Sequence, residues 1–272
     1  MAIIDILKSL NTLQSMFQEC IENLEEIIGS YGEVVALHNN VYVREELIHD
    51  YIFLCLTKGT RTCKSIELLL HEGLAEDSKI LARAAYETYI NGIFAYSKPD
   101  TIDLLVAIKL GLHVGRFEHP KSKKGKFIRN KVNFTSSDDA VDLPLLTIKK
   151  MASNSALSAD ANVHDPLYSF LSEFTHVHIV SSGSYRTMDD RRYTVESRGD
   201  VIFHTMFICT YVAWLLLDLA TRYLELRSIK MDYEKVTLKG VADFLLKELH
   251  ELTIEESLSS LRVDMESRLK AT

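Results

Sequence analysis

Arg83, Glu87 and Asn91 recur every four residues within Asp77–Tyr96, so they form one row if that stretch is helical. Ile80, Ile90 and Phe94 flank the row, which places a guanidinium and a carboxylate among apolar neighbours. A charge in such surroundings has to be paired, because an isolated buried ion costs several kcal/mol. Arg83 and Glu87 therefore either form an internal ion pair that fixes helix register, or Arg83 holds an anionic ligand such as a phosphate. A second group lies in the stretch PLYSFLSEFTHVHIV that starts at Pro166. As a helix it sets Ser172 and His176 four residues apart, where they can meet as nucleophile and base or simply as a hydrogen-bonded pair. No G-x-S-x-G turn accompanies the serine, which favours the hydrogen bond. His176 and His178 are suitable ligands for a transition metal, yet on a helix their rings diverge by roughly 160–200° and cannot share one ion. No metal site and no cofactor is assigned.

Phosphate-binding glycine loops of the Walker and dinucleotide types are missing. Arginine followed by histidine after four to six residues, a pattern of HEPN-type helical ribonucleases, occurs at Arg44–His49 and Arg198–His204. A chain with thirteen arginines and ten histidines produces about one or two such matches by chance, so the pattern selects nothing. The run Arg116–Lys131 holds seven basic residues and one acidic one. Lys121, Lys123, Lys124, Lys126 and Arg129 are its candidates for attracting a polyanion by counterion release. Only Phe117 and Phe127 offer aromatic faces there, and a solvated surface insertion is the plainer reading.

The elements that must carry these residues read almost entirely as helices. Apolar residues at three- and four-residue steps mark 3–29, ended by Gly29, then 42–58, and then 60–72 between Gly59 and Gly73. The stretch 77–96 is apolar in nearly every direction and stops before Lys98-Pro99. Helices follow over 100–116, over 143–156 from Pro144, and from Pro166 onward. Residues 179–198 lack helical periodicity and read as a charged loop or small hairpin, an element suited to covering a site. Residues 200–227 form a long apolar helix, second only to 77–96. Amphipathic helices at 233–250 and 254–269 finish the chain, the last with the charge-laced pattern of a surface or partner-facing helix. The expected fold is all-α, one domain over 1–272 with its core in 42–228, and a single bundle of eight to ten helices.

Composition agrees with that class. Of 272 residues 47% are hydrophobic, and four prolines and eleven glycines leave room for long helices. The net charge of −7 does not suit bulk nucleic-acid binding. Cys20, Cys55, Cys63 and Cys209 stand singly in apolar stretches, which fits reduced core thiols in the cytoplasm. The N-terminus has no basic leader region, and Val201–Leu217 reads as a buried bundle helix rather than a membrane span.

The residues also resemble a known family. Arg61-Thr62, a helix ending in L-x-x-G at Leu70–Gly73, L-x-R-x-x-x-E-x-x-x-N from Leu81 to Asn91, and Y-x-x-x-S-x-x-x-H at Tyr168, Ser172 and His176 resemble an all-helical bacterial family of unknown function. Some of its relatives are akin to abortive-infection proteins and HEPN-like domains. The resemblance covers about residues 45–225 and implies that Arg83, Glu87, Tyr168, Ser172 and His176 converge in one cleft. The expectation is a bacterial defence or toxin-like protein that acts on RNA as a metal-independent ribonuclease. His176 would be its general acid or base, Arg83 its phosphate ligand, Glu87 and Ser172 their supports, and the basic loop its guide for RNA. The alternative is a non-catalytic module with a buried Arg83–Glu87 pair, binding a protein partner or a second copy of itself as a homo-oligomer.

Overall fold

From Thr205 to Thr221 every residue is apolar, aromatic or hydroxyl-bearing except Asp218. Such a segment is a stable helix only when other helices surround it. In the computed structural model all residues from 205 to 221 are buried. They lie within the 28-residue helix α7 (Gly199–Leu226). That helix is long and apolar enough to cross a membrane, and 83% of its apolar window is buried inside the protein. Two of its threonines return their hydroxyls to the helix, Thr205 to the Val201 carbonyl at 2.7 Å and Thr210 to Met206 at 2.8 Å, while the Thr221 hydroxyl is buried without a partner among the described residues.

The structure describes residues 3–33, 44–128, 131–135, 140–141, 146–176, 180–187, 192–251 and 259–271. Helices α1 (Ile3–Tyr31), α2 (Arg44–His71) and α3 (Ala75–Ser97) surround α7. Helix α4 (Pro99–His113) leans on α2 and α3, while the short α5 (Ile148–Ser153) and α6 (Ser158–Ser172) pack beside α3. Helix α8 (Asp232–Glu251) lies along α7, where Trp214 donates to the Leu238 carbonyl at 2.8 Å. Helix α9 (Ser259–Ala271) fits between α6 and α8. The all-α expectation holds, with nine helices among the described residues.

Several boundaries differ from those read in the sequence. The segments 42–58 and 60–72 are one helix, α2, which runs straight through Gly59. That glycine serves a close approach rather than a break: a Cβ there would lie 2.8 Å from the Leu216 side chain. Helix α1 likewise continues past Gly29 to Tyr31. Pro166 does not open a helix but sits inside α6, which begins at Ser158. The enclosure of α7 exceeds that of α3, of which 14 of 23 residues are buried. The basic run is partly strand. β1 (Phe117–Glu118), β2 (Val132–Phe134) and β3 (Ala140–Val141) form an antiparallel sheet in that order, with Phe117 opposite Phe134 and Val132 opposite Val141. Residues 179–198 include a 3-10 turn at Val180–Tyr185 and an antiparallel bridge between Arg186 and Tyr193, as a small hairpin requires.

The last helix keeps one face in solvent, but its other face is buried and charged. Leu261, Asp264 and Met265 of α9 are fully buried, and Arg268 is 2% exposed. Arg268 donates to Asp264 from Nε at 2.8 Å and to Asp218 from Nη1 at 2.8 Å, and its Nη2 is paired with Asp160. Tyr89 donates to Asp160 at 2.8 Å, Tyr211 to Asp264 at 2.6 Å, and Arg222 to Asp218 at 2.8 Å. Burial pushes the Asp264 carboxyl above the ordinary carboxylate range in spite of Arg268 and Tyr211. Removing one partner of such a cluster strands the others without compensation. Arg268→Met is expected to cost about 3–5 kcal/mol in urea unfolding. Arg262→Met, on the exposed side of α9, should stay within about 0.5 kcal/mol of the natural chain.

Candidate functional site

The polar row on α3 exists and is longer than its three expected members. It runs Glu76, Lys79, Arg83, Glu87, Asn91, a rise of about 22 Å at 1.5 Å per residue. At its centre Arg83 donates from Nε to Glu87 at 3.1 Å, from Nη1 to Thr175 at 3.1 Å and from Nη2 to the Tyr168 hydroxyl at 2.6 Å. Tyr168 in turn donates to the same Glu87 oxygen at 2.9 Å. The guanidinium carbon also lies 4.5 Å from the centroid of the Tyr168 ring. The Arg83 and Glu87 side chains are 21% and 35% exposed, so the pair is half-buried at the surface.

The row continues by hydrogen bonds into neighbouring helices. Asn91 donates to the Glu87 carbonyl at 2.7 Å, Tyr51 of α2 donates to Asn91 at 3.1 Å, and Lys109 of α4 donates to Tyr51 at 3.3 Å. Behind the centre, Tyr168 stacks on His164 with centroids 4.9 Å apart, and His164 on Tyr86 at 6.0 Å. Burial lowers the His164 pKa and raises that of Tyr168, so both rings favour their neutral forms. His164 Nδ1 is buried without a hydrogen-bond partner among the described residues. The ring column thus gives Arg83 a rigid aromatic floor.

Arg83, Glu87 and Tyr168 meet as expected. Ser172 and His176 do not meet. Helix α6 ends at Ser172, whose hydroxyl donates to the Tyr168 carbonyl at 2.5 Å, so the four-residue spacing has no helix to act through. Thr175, one residue before the exposed His176, is the residue that reaches Arg83. His178 and Arg129 lie outside the described residues. Lys121, Lys123, Lys124 and Lys126 are exposed on the hairpin that follows β1. In the arginine-histidine patterns, His49 is hydrogen-bonded to the Tyr223 hydroxyl of α7 at 3.0 Å and Arg198 is paired with Asp200.

Lys79 and Glu76 were not singled out by the sequence, because lysine and glutamate are seldom buried. Lys79 is 3% exposed and Glu76 is 4% exposed. The ammonium group of Lys79 stands 3.9 Å from the centroid of the Phe174 ring and 5.4 Å from that of Phe170. It has no hydrogen-bond or ion-pair partner among the described residues. Cation–π contacts contribute about 0.5–2 kcal/mol, less than the several kcal/mol needed to strip a cation of water. Burial accordingly lowers the Lys79 pKa to about 8, although Glu76, Cys209, Asp200 and Glu173 favour the charge. Glu76 accepts a hydrogen bond from the Ser197 hydroxyl through Oε2, while its Oε1 is buried without a partner among the described residues. Ser197 also accepts from the Ala75 amide at 2.9 Å and donates its own amide to Gly73 at 3.0 Å. The end of the charged loop thus folds over the start of α3, one turn from Lys79. Extending the row backward by four residues from Arg83 was the available signal.

Residues 49–193, just over half of the chain, match the model of a family of unknown function, DUF5677. The chain belongs to the DUF5677 family. The DUF5677 region takes in most of α2, all of α3 to α6 and the hairpin bridge at Tyr193, and with them every residue of the polar row and its α6 partners. It is shorter than the expected 45–225, and α7, α8 and α9 lie beyond it. Comparison with curated proteins and with solved structures gives no match.

The Lys79 environment has a measurable consequence. Lys79 loses its proton near pH 8 in the folded chain against an ordinary lysine value of 10.5. Between those values the unfolded chain binds more protons, so this group's contribution to stability rises with pH. The stability of the natural chain relative to Lys79→Met should therefore rise by about 3 kcal/mol between pH 7 and pH 10.5, as read by urea unfolding at each pH.

Proposed function

We propose that the face around Arg83, Glu87 and Tyr168 binds phosphate and that the protein acts on RNA as a bacterial defence or toxin-like relative of HEPN-like helical proteins. The supporting observation is the state of Arg83. Its guanidinium is held in place by Glu87, Thr175 and Tyr168, yet the side chain keeps about a fifth of its surface in solvent. Of the five N–H donors of an arginine, three are engaged and two remain for a phosphate oxygen. A donor fixed before the ligand arrives needs no reorganisation.

In this reading a ribose 2′-hydroxyl attacks the adjacent phosphorus as His176, exposed beside Thr175, takes up its proton. The bond from phosphorus to the 5′-oxygen breaks, and that oxygen receives a proton. Arg83 stabilises the charge that develops on the phosphate, Glu87 and Tyr168 hold Arg83, and Ser172 ties the end of α6 by its bond to Tyr168. Lys121, Lys123, Lys124 and Lys126 attract the chain of phosphates. With labelled single-stranded RNA in chelator, His176→Ala should lower cleavage at least ~100-fold. Arg83→Met should weaken binding as well. Natural protein that neither binds nor cuts such RNA would remove this reading.

A second reading rests on the same cluster. All three nitrogens of Arg83 already have partners, as a structural lock in a non-catalytic interaction module would require. In that case Arg83→Met combined with Glu87→Leu should leave stability within about 1 kcal/mol, because a half-exposed ion pair contributes little. Partner binding would also survive the double substitution, and RNA binding would be absent from the start.

A further inference from the structure

We infer that Lys79 is a reactive amine that condenses with a short, uncharged aldehyde or ketone, with Glu76 moving the protons. This inference is independent of the phosphate face. A leucine or methionine would satisfy the packing at position 79, yet a lysine stands there with aromatic rings for neighbours and no oxygen partner among the described residues. In such a setting a larger fraction of the amine is neutral at a given pH than in an exposed lysine, and the neutral amine is the nucleophile. Glu76, three residues earlier on the same face of α3, has one oxygen fixed by Ser197 and the other unengaged and buried. A carboxylate oriented by one oxygen and open at the other is suited to passing a proton.

The surroundings select the ligand. Glu76, Glu173 and Asp200 surround Lys79 with negative charge, and Cys209 is the other titratable group near it. A carbonyl compound that carried a carboxylate or phosphate would be repelled, whereas Phe170 and Phe174 suit a short alkyl group. Nζ attacks the carbonyl carbon, the C=O π bond opens as a C–N bond forms, and Glu76 carries one proton from the nitrogen to the oxygen to give a carbinolamine. Glu76 then takes the second proton from the nitrogen and delivers it to that hydroxyl, which leaves as water when the C–O bond breaks, so Glu76 ends as the carboxylate it began as. The sum is amine plus carbonyl compound giving imine plus water, with no oxidant or reductant.

The full chain is incubated at neutral pH with propionaldehyde and sodium cyanoborohydride, whose hydride converts each imine to a stable propyl-lysine, and digested for mass mapping. Lys79 should be alkylated at least ~10-fold faster than the exposed Lys123 and Lys124. Lys79 left unmodified, or modified no faster than those two, overturns the inference. Glu76→Gln should slow alkylation at Lys79 at least ~5-fold and leave the hairpin lysines unchanged. An unchanged Lys79 rate in that variant overturns the part given to Glu76. If Glu76→Gln fails to fold, Ser197→Ala, which frees the carboxylate to turn, is read in the same way.

Discussion

An arginine surrounded by three carboxylates inside an apolar bundle tolerates few arrangements, and the geometry of this protein follows from the one it has. Arg268 of α9 is bonded to Asp160 of α6, Asp218 of α7 and Asp264 of its own helix, while Tyr89 of α3 closes on Asp160. Every member must be present, since a partner lost from a buried cluster leaves a charge that the interior cannot solvate. Helix α6 is thereby pinned near its start by Asp160 and at its end by Tyr168 and Thr175 on Arg83. Val163, Leu167 and Leu171 fill the space between. The separation of Tyr168 from Arg83, on which any role of the surface cluster depends, is therefore set by an ionic contact two helical turns away.

Much of the architecture was legible because periodicity reports where apolar side chains are. The stretches 77–96 and 200–227 are apolar on nearly all sides, and they became the enclosed helices α3 and α7. The row Arg83, Glu87, Asn91 was legible for the same reason, as polar residues out of place. Punctuation misled: Gly59 and Pro166 have the residue types of breaks, yet one makes room for Leu216 and the other lies within α6. Arg268 and Asp264 look like any exposed i, i+4 pair. What makes them special lies 50 and 108 residues away, at Asp218 and Asp160, beyond the reach of any local pattern.

Lys79 and Arg83, one turn apart on α3, show two ways to enclose a cation. The guanidinium spreads its charge over a plane that three oxygens and a ring can hold at once. The ammonium is compact and strongly hydrated, and here it has aromatic faces in place of oxygens. Oxygen partners favour the charged form of a cation, whereas burial against rings lowers the Lys79 pKa to about 8. The same helix face thus offers one cation held by oxygens and one held by rings.

The position of Arg268 in the chain bears on how the protein is made. Synthesis proceeds from the N-terminus, so α6 and α7 emerge from the ribosome well before α9. Until residue 268 arrives, Asp218 has only the guanidinium of Arg222 and Asp160 has none, so Asp160 favours water over the interior. Helix α9 then supplies the guanidinium that links Asp160 of α6 to Asp218 of α7. The ionic centre that joins α6, α7 and α9 is therefore complete only after α9 has been translated.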